Sequence, residues 1–113
     1  MEIHIRTKGF TATQAQRAHA ERRIHAHLSR FGREVEQVTL RLTDINGPKG
    51  GLDKECQVVV KGPRLGIATL TEQTNEVLAA IDLAVERVAA TIGRTLERQR
   101  QATTTRISVR RAS

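Results

Sequence analysis

Residues 37–61 read QVTLRLTDINGPKGGLDKECQVVVK and contain two runs in which every second side chain is apolar. The apolar positions are Val38, Leu40 and Leu42 in the first run, and Cys56, Val58 and Val60 in the second. Successive side chains of a strand point to opposite faces of a sheet, so each run predicts a strand with one buried face. Together the runs predict a pair of strands joined by the glycine-rich segment between them.

The connecting segment, residues 42–56, holds three glycines, one proline, two lysines and the only cysteine of the chain. A Walker-type phosphate loop is disfavoured, because that loop precedes a helix and carries a Lys-Ser/Thr pair, both of which are missing here. Cys56 shares its face with two valines, which favours a buried side chain over a nucleophile. The remaining interpretation is a wide hairpin. Its Lys49 and Lys54 either lie along a phosphate backbone or are merely exposed to solvent.

Four more elements flank this pair of strands according to the same periodicities. They are a strand at residues 3–6, a helix capped by Thr13 that ends at about Gly32, a strand at residues 65–71, and a helix from about residue 75 to 100. The order β-α-β-β-β-α predicts an α+β fold, with a four-stranded sheet that carries two helices packed on one face. We predict one folded domain at residues 1–101. Residues 102–113 carry three arginines and no acid, and they predict a flexible basic tail.

The charge of the chain points to a polyanionic partner. The net charge is +7 and the isoelectric point is near 11.0, which suits nucleic acid or an acidic membrane surface. No signal peptide and no apolar run long enough to span a membrane is apparent, so we expect a cytoplasmic location and no membrane partner.

Neither a metal nor a cofactor is expected. One cysteine cannot form an internal disulfide, and His19, His25 and His27 do not share one helix face as metal ligands would. The only aromatic residues are two phenylalanines, so the sheet lacks the rings on which single-stranded RNA would stack. These features favour recognition of folded RNA through its shape and phosphates.

On the last predicted helix, basic and acidic side chains lie on opposite flanks of the apolar stripe. Its arginines on one flank of the apolar stripe are Arg87, Arg94 and Arg98, and its acids on the opposite flank are Asp82, Glu86 and Glu97. The basic flank spans about 16 Å at 1.5 Å per residue, a length that suits several backbone phosphates. The first helix also has a basic outer face, on which the arginines are Arg22, Arg23 and Arg30.

Three segments carry a resemblance to a known family: TQAQR at residues 13–17, DINGPKGGLDKEC at residues 44–56 and LAAID at residues 78–82. With the order of the elements, they resemble the ribosome hibernation promoting factor and ribosome-associated inhibitor A family in its short form, over about residues 2–100. The hairpin string is the most specific of the three. There are departures, since Gln16 and His27 replace apolar residues, Leu78 replaces a common tyrosine, and Gly93 lies within the last helix.

The resemblance implies a ribosome-binding domain at residues 1–101 and a non-enzymatic function in ribosome hibernation and the stress response. The family binds small-subunit rRNA in the decoding and mRNA channel and blocks translation by steric exclusion. The resemblance implies rRNA contacts at Lys8, Arg17, Arg23, Arg87 and Arg94. Together with the charge analysis, the expected rRNA-binding residues are Lys8, Arg17, Arg22, Arg23, Arg30, Lys49, Lys54, Arg87, Arg94 and Arg98. The expected partner is the small ribosomal subunit, with another hibernation factor as a second candidate and no small-molecule substrate.

Two other functions are compatible with the residues. A general structured-RNA-binding protein or RNA chaperone would bind naked duplex RNA as tightly as it binds ribosomes. An enzyme that uses Cys56 or a histidine would lose its function on Cys56→Ala, whereas a hibernation factor would not.

Overall fold

A computed structural model describes residues 1–45 and 53–112 of the chain, with side chains described to residue 102. The elements in chain order are β1 (Glu2–Lys8), α1 (Gln14–Leu28), a 3₁₀ helix (Ser29–Glu34), β2 (Gln37–Asp44), β3 (Lys54–Gly62), β4 (Gly66–Thr74) and α2 (Val77–Ala112). The predicted order β-α-β-β-β-α is confirmed. Lys49 and the rest of the glycine-rich loop lie outside the described residues.

The sheet is mixed, with the strands in the order β1-β2-β3-β4. Strand β1 runs parallel to β2, because α1 carries the chain back to the starting edge, and the other two pairings are antiparallel. The β2–β3 register sets Leu40 opposite Val58 and Leu42 opposite Cys56, so the alternating apolar side chains form one continuous face. Both helices pack on that face and close a single core.

The core is aliphatic, in a chain whose only aromatic residues are two phenylalanines. The largest fully buried side chains come from the apolar stripes of both helices and from the two central strands. They are Ile24, Leu28, Leu40, Leu42, Ile81, Ile92, Val38, Val58, Val60, Val85, Val88 and Cys56. Phe31 and Leu96 are partly buried against this core.

Helix α1 begins with a reciprocal cap. The Gln16 amide N–H donates to Thr13 Oγ1 at 3.0 Å, and the Thr13 amide N–H donates to Gln16 Oε1 at 2.9 Å. The cap gives the polar side chain of Gln16 a structural role at the start of the helix. The predicted end near Gly32 is wrong for the α-helix, which stops at Leu28 and continues as a 3₁₀ turn. Gly32 has a φ of +56° within that turn, a conformation that glycine adopts without strain.

Helix α2 extends beyond the predicted end near residue 100 and reaches Ala112. Among the side chains described for this helix, up to residue 102, the last fully buried one is Ile92. Adding a residue to an existing helix avoids the cost of nucleation, which is why an aperiodic segment can continue it. The flexibility expected of residues 102–113 stays a prediction. Within the described part of the chain, no helix is both long enough and apolar enough to cross a membrane.

Candidate nucleic-acid interface

The outer surface of α2 carries an open groove of about 690 Å³, which we call the α2 groove and which is lined by Ala90, Gly93, Arg94, Glu97 and Arg98. Arg94 and Arg98 are exposed, and Arg94 Nη2 donates to Thr91 Oγ1 at 3.3 Å. Ala90 and Gly93 have little or no side chain, so a ligand can approach the helix backbone between the two guanidinium groups. The predicted pair of Arg94 and Arg98 on one flank is therefore present.

Arg87, the third arginine of the predicted basic flank, forms an ion pair with another element of the fold. Its Nη1 lies 2.6 Å from Glu72 Oε1 on β4, and it joins the last strand to the last helix. Glu72 lies one strand over from Cys56, on the side of the sheet that faces the helices. A carboxylate from another element therefore already neutralises Arg87, a contact that the helix pattern does not reveal.

Two of the predicted acids, Asp82 and Glu86, face α1 from the flank opposite the arginines. Asp82 Oδ1 lies 2.7 Å from His19 Nε2 and 3.0 Å from Arg23 Nε, and Glu86 Oε1 lies 2.9 Å from Arg23 Nη2. Arg23, an expected rRNA contact, is thus bound by two carboxylates between the helices. The sequence places acids and bases on the two helix faces but does not show that the faces meet.

The expected position of Glu97 on the opposite flank is wrong. Glu97 lines the α2 groove together with Arg94 and Arg98, and its carboxylate lies 3.5 Å from Arg100 Nη1. Three residues advance a helix by about 300°, which leaves Glu97 only about 60° from Arg94 around the axis. The groove therefore contains one carboxylate beside its arginines.

A second, smaller groove of about 260 Å³ adjoins the first, since both are lined by Gly93 and Glu97. Arg30 and Phe31 form its far wall, and the Arg30 guanidinium lies 4.7 Å from the centre of the Phe31 ring. This stacking orients the planar cation while leaving its edge free to donate hydrogen bonds. Arg30 thereby joins Arg94 and Arg98 on one connected surface.

Lys8, Arg17 and Arg22 lie elsewhere. Arg17 Nη1 donates to the Ile5 carbonyl oxygen at 3.4 Å, which places it at the outer edge of β1. Lys8 ends β1, and Arg22 is exposed on α1. The expected rRNA-binding residues therefore occupy more than one surface.

Lys54 is a structural residue at the base of the hairpin. Its Nζ lies 3.1 Å from Asp44 Oδ2 and 3.2 Å from Asp53 Oδ2. The hydrogen bond with Asp44 raises the pKa of the Lys54 ammonium above its ordinary value, and the contact with Asp53 adds to the rise. Lys54 thus fastens the ends of β2 and β3 instead of projecting freely.

Cys56 is buried in the core, and burial raises the pKa of its thiol to about 12, with a smaller contribution from the charge of Glu55. We expect the native protein at pH 8 to react with iodoacetamide only at its slow unfolding rate, because the reactive thiolate is both inaccessible and disfavoured. Mass spectrometry of the alkylated chain, with a urea-unfolded sample as the control, measures this. Full labelling of the native protein within minutes would contradict the buried position.

The same thiol makes stability depend on alkaline pH. The pKa of Cys56 is raised in the folded state, so its contribution is complete below the ordinary thiol pKa of 9.0 and is lost as the pH rises toward about 12. Urea titrations should show a steeper loss of stability above pH 9 for the unaltered chain than for Cys56→Ala. Parallel curves for the two proteins would contradict the assignment.

Removing the carboxylate that joins the helices should weaken the fold modestly. We expect Asp82→Asn to lower the free energy of unfolding by about 1 kcal/mol, because Arg23 and His19 lose a shared, partly exposed partner. Urea unfolding followed by circular dichroism measures the change, and 1 M salt should shrink it. The control is Glu97→Gln, which breaks a more exposed contact and should change stability by less than about 0.5 kcal/mol. Equal effects of the two changes would refute a special role for Asp82.

No group of three or more His, Cys, Asp or Glu side chains within residues 1–45 and 53–102 is placed to hold a metal ion.

Comparison with known proteins identifies the family. Residues 3–100 match the family described as sigma 54 modulation protein / S30EA ribosomal protein. The N-terminal domain of Protein Y from Thermus thermophilus superposes with a TM-score of 0.66 at 24% identity, covering 83% of this chain and 98% of that one. A ribosomal subunit interface protein from Coxiella burnetii superposes with a TM-score of 0.71 at 19% identity, covering 83% of this chain and 96% of that one. No curated protein matches the chain by sequence. The family match confirms the resemblance to the hibernation promoting factors, and the chain belongs to the sigma 54 modulation protein / S30EA ribosomal protein family.

Proposed function

We propose that this protein is a ribosome hibernation factor that binds small-subunit rRNA in the decoding and mRNA channel and blocks translation by steric exclusion. Family membership makes it a ribosome-associated modulation protein. The observation that carries the finer proposal is the α2 groove, in which Arg94 and Arg98 are exposed beside the nearly bare helix backbone at Ala90 and Gly93. The protein acts in the cytoplasm as a binding protein, without catalysis.

Phosphate neutralisation supplies the affinity. Each arginine that meets a phosphate releases condensed counterions, and a guanidinium group can bind two phosphate oxygens at once. Arg94 and Arg98 are one turn apart, or about 6 Å along the axis, which matches the spacing of adjacent phosphates in an RNA strand. Arg30 extends the same surface across the second groove.

The cations that already pair with carboxylates have a structural role in this proposal instead of contacting rRNA. Arg23 and Arg87 already contact carboxylates, so they stiffen the junctions of α2 with α1 and with β4. Lys54 likewise stiffens the hairpin, because it pairs with Asp44 and joins the end of β2 to the start of β3. Lys8, Arg17 and Arg22 remain proposed contacts outside the grooves. A stiff, narrow body blocks a channel by occupying it, so the mechanism needs no chemical step.

Sedimentation tests the proposal directly. The full chain, mixed with purified small ribosomal subunits and separated on a sucrose gradient at about 0.1 M salt, should travel with the subunits and be displaced by added mRNA and initiator tRNA. Cell-free translation should slow in proportion to occupancy. Binding to naked duplex RNA with the same affinity would instead support a general RNA-binding protein. Binding without competition by mRNA or tRNA would refute the location in the channel.

A further inference from the structure

The face of the sheet opposite the helices carries two arginines side by side. The register pairs Arg6 of β1 with Arg41 of β2, and Gln57 and Thr71 complete the same row across the sheet. Ile5 and Leu40, one residue earlier on each strand, pack into the core, so Arg6 and Arg41 both point to the open face. Both arginines are exposed.

This arrangement opposes stability. Neighbouring strands lie about 4.8 Å apart, and like charges directly opposite each other destabilise a sheet. Within the described residues, neither arginine forms an ion pair. The carboxylates on this face are engaged elsewhere, since Glu2 lies 2.7 Å from His4 Nε2 and Glu55 accepts a hydrogen bond from Gln73 at 3.2 Å. Arg6 and Arg41 therefore repel each other and, among the described residues, have no carboxylate between them, and this arrangement indicates a place where an anion binds.

The surroundings of the pair suit a phosphate backbone. Thr39 and Thr43 flank Arg41 on β2 and offer hydroxyl donors, while Lys8 flanks Arg6 on β1. Arg17 on α1 donates a hydrogen bond to the Ile5 carbonyl oxygen, so a further positive charge lies at the β1 edge, between the open face and α1. Guanidinium, hydroxyl and amide groups are the ones that proteins use on phosphate and sugar.

We propose that the open sheet face is a second RNA-binding surface, on which backbone phosphates lie between Arg6 and Arg41. The inference rests on the proposed function and extends it, because the protein then contacts RNA from the α2 groove and from the opposite layer of the fold. RNA fits this face better than an acidic protein segment does. The side chains that adjoin the pair are Thr39, Thr43, Gln57 and Lys8, which are polar or basic, whereas peptide segments are anchored mainly by apolar and aromatic side chains in pockets.

Neutralising the pair tests the proposal with two readouts. Arg6→Gln combined with Arg41→Gln, in the full chain, should weaken binding to purified small ribosomal subunits at least 10-fold. It should also reduce the slope of log affinity against log salt by about 2. The midpoint of thermal unfolding should stay the same or rise, because the repulsion is relieved. A merely structural role would lower that midpoint instead.

Arg33→Gln is the control for charge. Arg33 is exposed on the 3₁₀ turn, in a groove with Met1, at the end of the sheet where β1 begins. The substitution Arg33→Gln should alter the affinity for small ribosomal subunits less than twofold. If the unaltered protein binds the subunits and the double variant binds equally well, this inference is overturned while the proposed function stands. If the unaltered protein does not bind, both are overturned.

Crosslinking identifies the class of partner. A photoreactive benzoylphenylalanine in place of Thr39, at the centre of the open face, should crosslink to rRNA in the complex with small subunits. Crosslinks to ribosomal proteins alone would overturn RNA as the occupant. So would the lack of any crosslink from a variant that still sediments with the subunits.

Discussion

Replacing Gly62 with alanine should destabilise the protein by about 3 kcal/mol, because the new methyl group has no space. Gly62 ends β3 directly beneath the end of the 3₁₀ turn. A Cβ atom at this position would overlap the Glu34 carbonyl oxygen and lie 2.8 Å from the Glu34 carbonyl carbon. Both obstacles are backbone atoms, which cannot rotate away as a side chain can. Relief requires moving the chain that the hydrogen bond from the Glu36 amide to the Lys61 carbonyl oxygen holds at 2.8 Å.

Urea and thermal unfolding measure this effect. For a domain of this size, each 1 kcal/mol lowers the melting temperature by about 4–8 °C. The matched control is Gly93→Ala in α2, where a Cβ atom would meet its nearest neighbours, Arg30 and Phe31, at an ordinary 3.9 Å. Alanine there should stabilise the helix by up to about 1 kcal/mol. Opposite signs for the two substitutions are expected, and equal stability of Gly62→Ala and the unaltered chain would disprove the close approach.

Reversing the two charges of the α2 groove should have the largest effect on binding. We expect Arg94→Glu with Arg98→Glu to weaken association with small ribosomal subunits at least 100-fold at about 0.1 M salt, because two phosphate contacts become two repulsions. Both side chains are exposed, and the one hydrogen bond described for them, from Arg94 to Thr91, is on the surface. The free energy of unfolding should therefore change by less than about 0.5 kcal/mol.

This pair is a better test than one that includes Arg87. A glutamate at position 87 would face Glu72 across the contact that now measures 2.6 Å, so lost binding could reflect a damaged fold. The control is Arg33→Glu, compared with each single reversal in the groove. Each groove reversal should cost about 10-fold in affinity and Arg33→Glu less than twofold. Similar losses at all three positions would show that only net charge matters, and would refute the groove as the site.

Much of the fold follows from patterns within short stretches of the chain. The alternation around Leu40 and Val58 predicts strands with one buried face, and the structure buries both side chains fully. The stripe through Ile81 and Val88 likewise predicts the buried side of α2. These predictions succeed because burial repeats with the period of the local backbone. The ends of both helices were predicted less well, since a helix end depends on tertiary packing as much as on capping residues.

The candidate site is less visible in the sequence, because a charge pattern does not show which charges are already paired. Arg23 meets Glu86 across 63 positions and Arg87 meets Glu72 across 15. The sequence did predict the exposed arginines of α2, since they lie on the flank that faces away from α1. It could not pair Arg6 with Arg41, because the partner of an edge strand depends on the crossover of α1.

The amino-acid sequence alone determined the order of the elements, the apolar face of each one and the strong excess of positive charge, all of which are local or additive properties. Tertiary structure decided which cations stay available to a partner, which ones join elements together, and where two backbones approach too closely for a methyl group. The physical reason is that electrostatic and steric contacts act over a few ångströms in space, and only the folded chain brings residues so distant in sequence within that range.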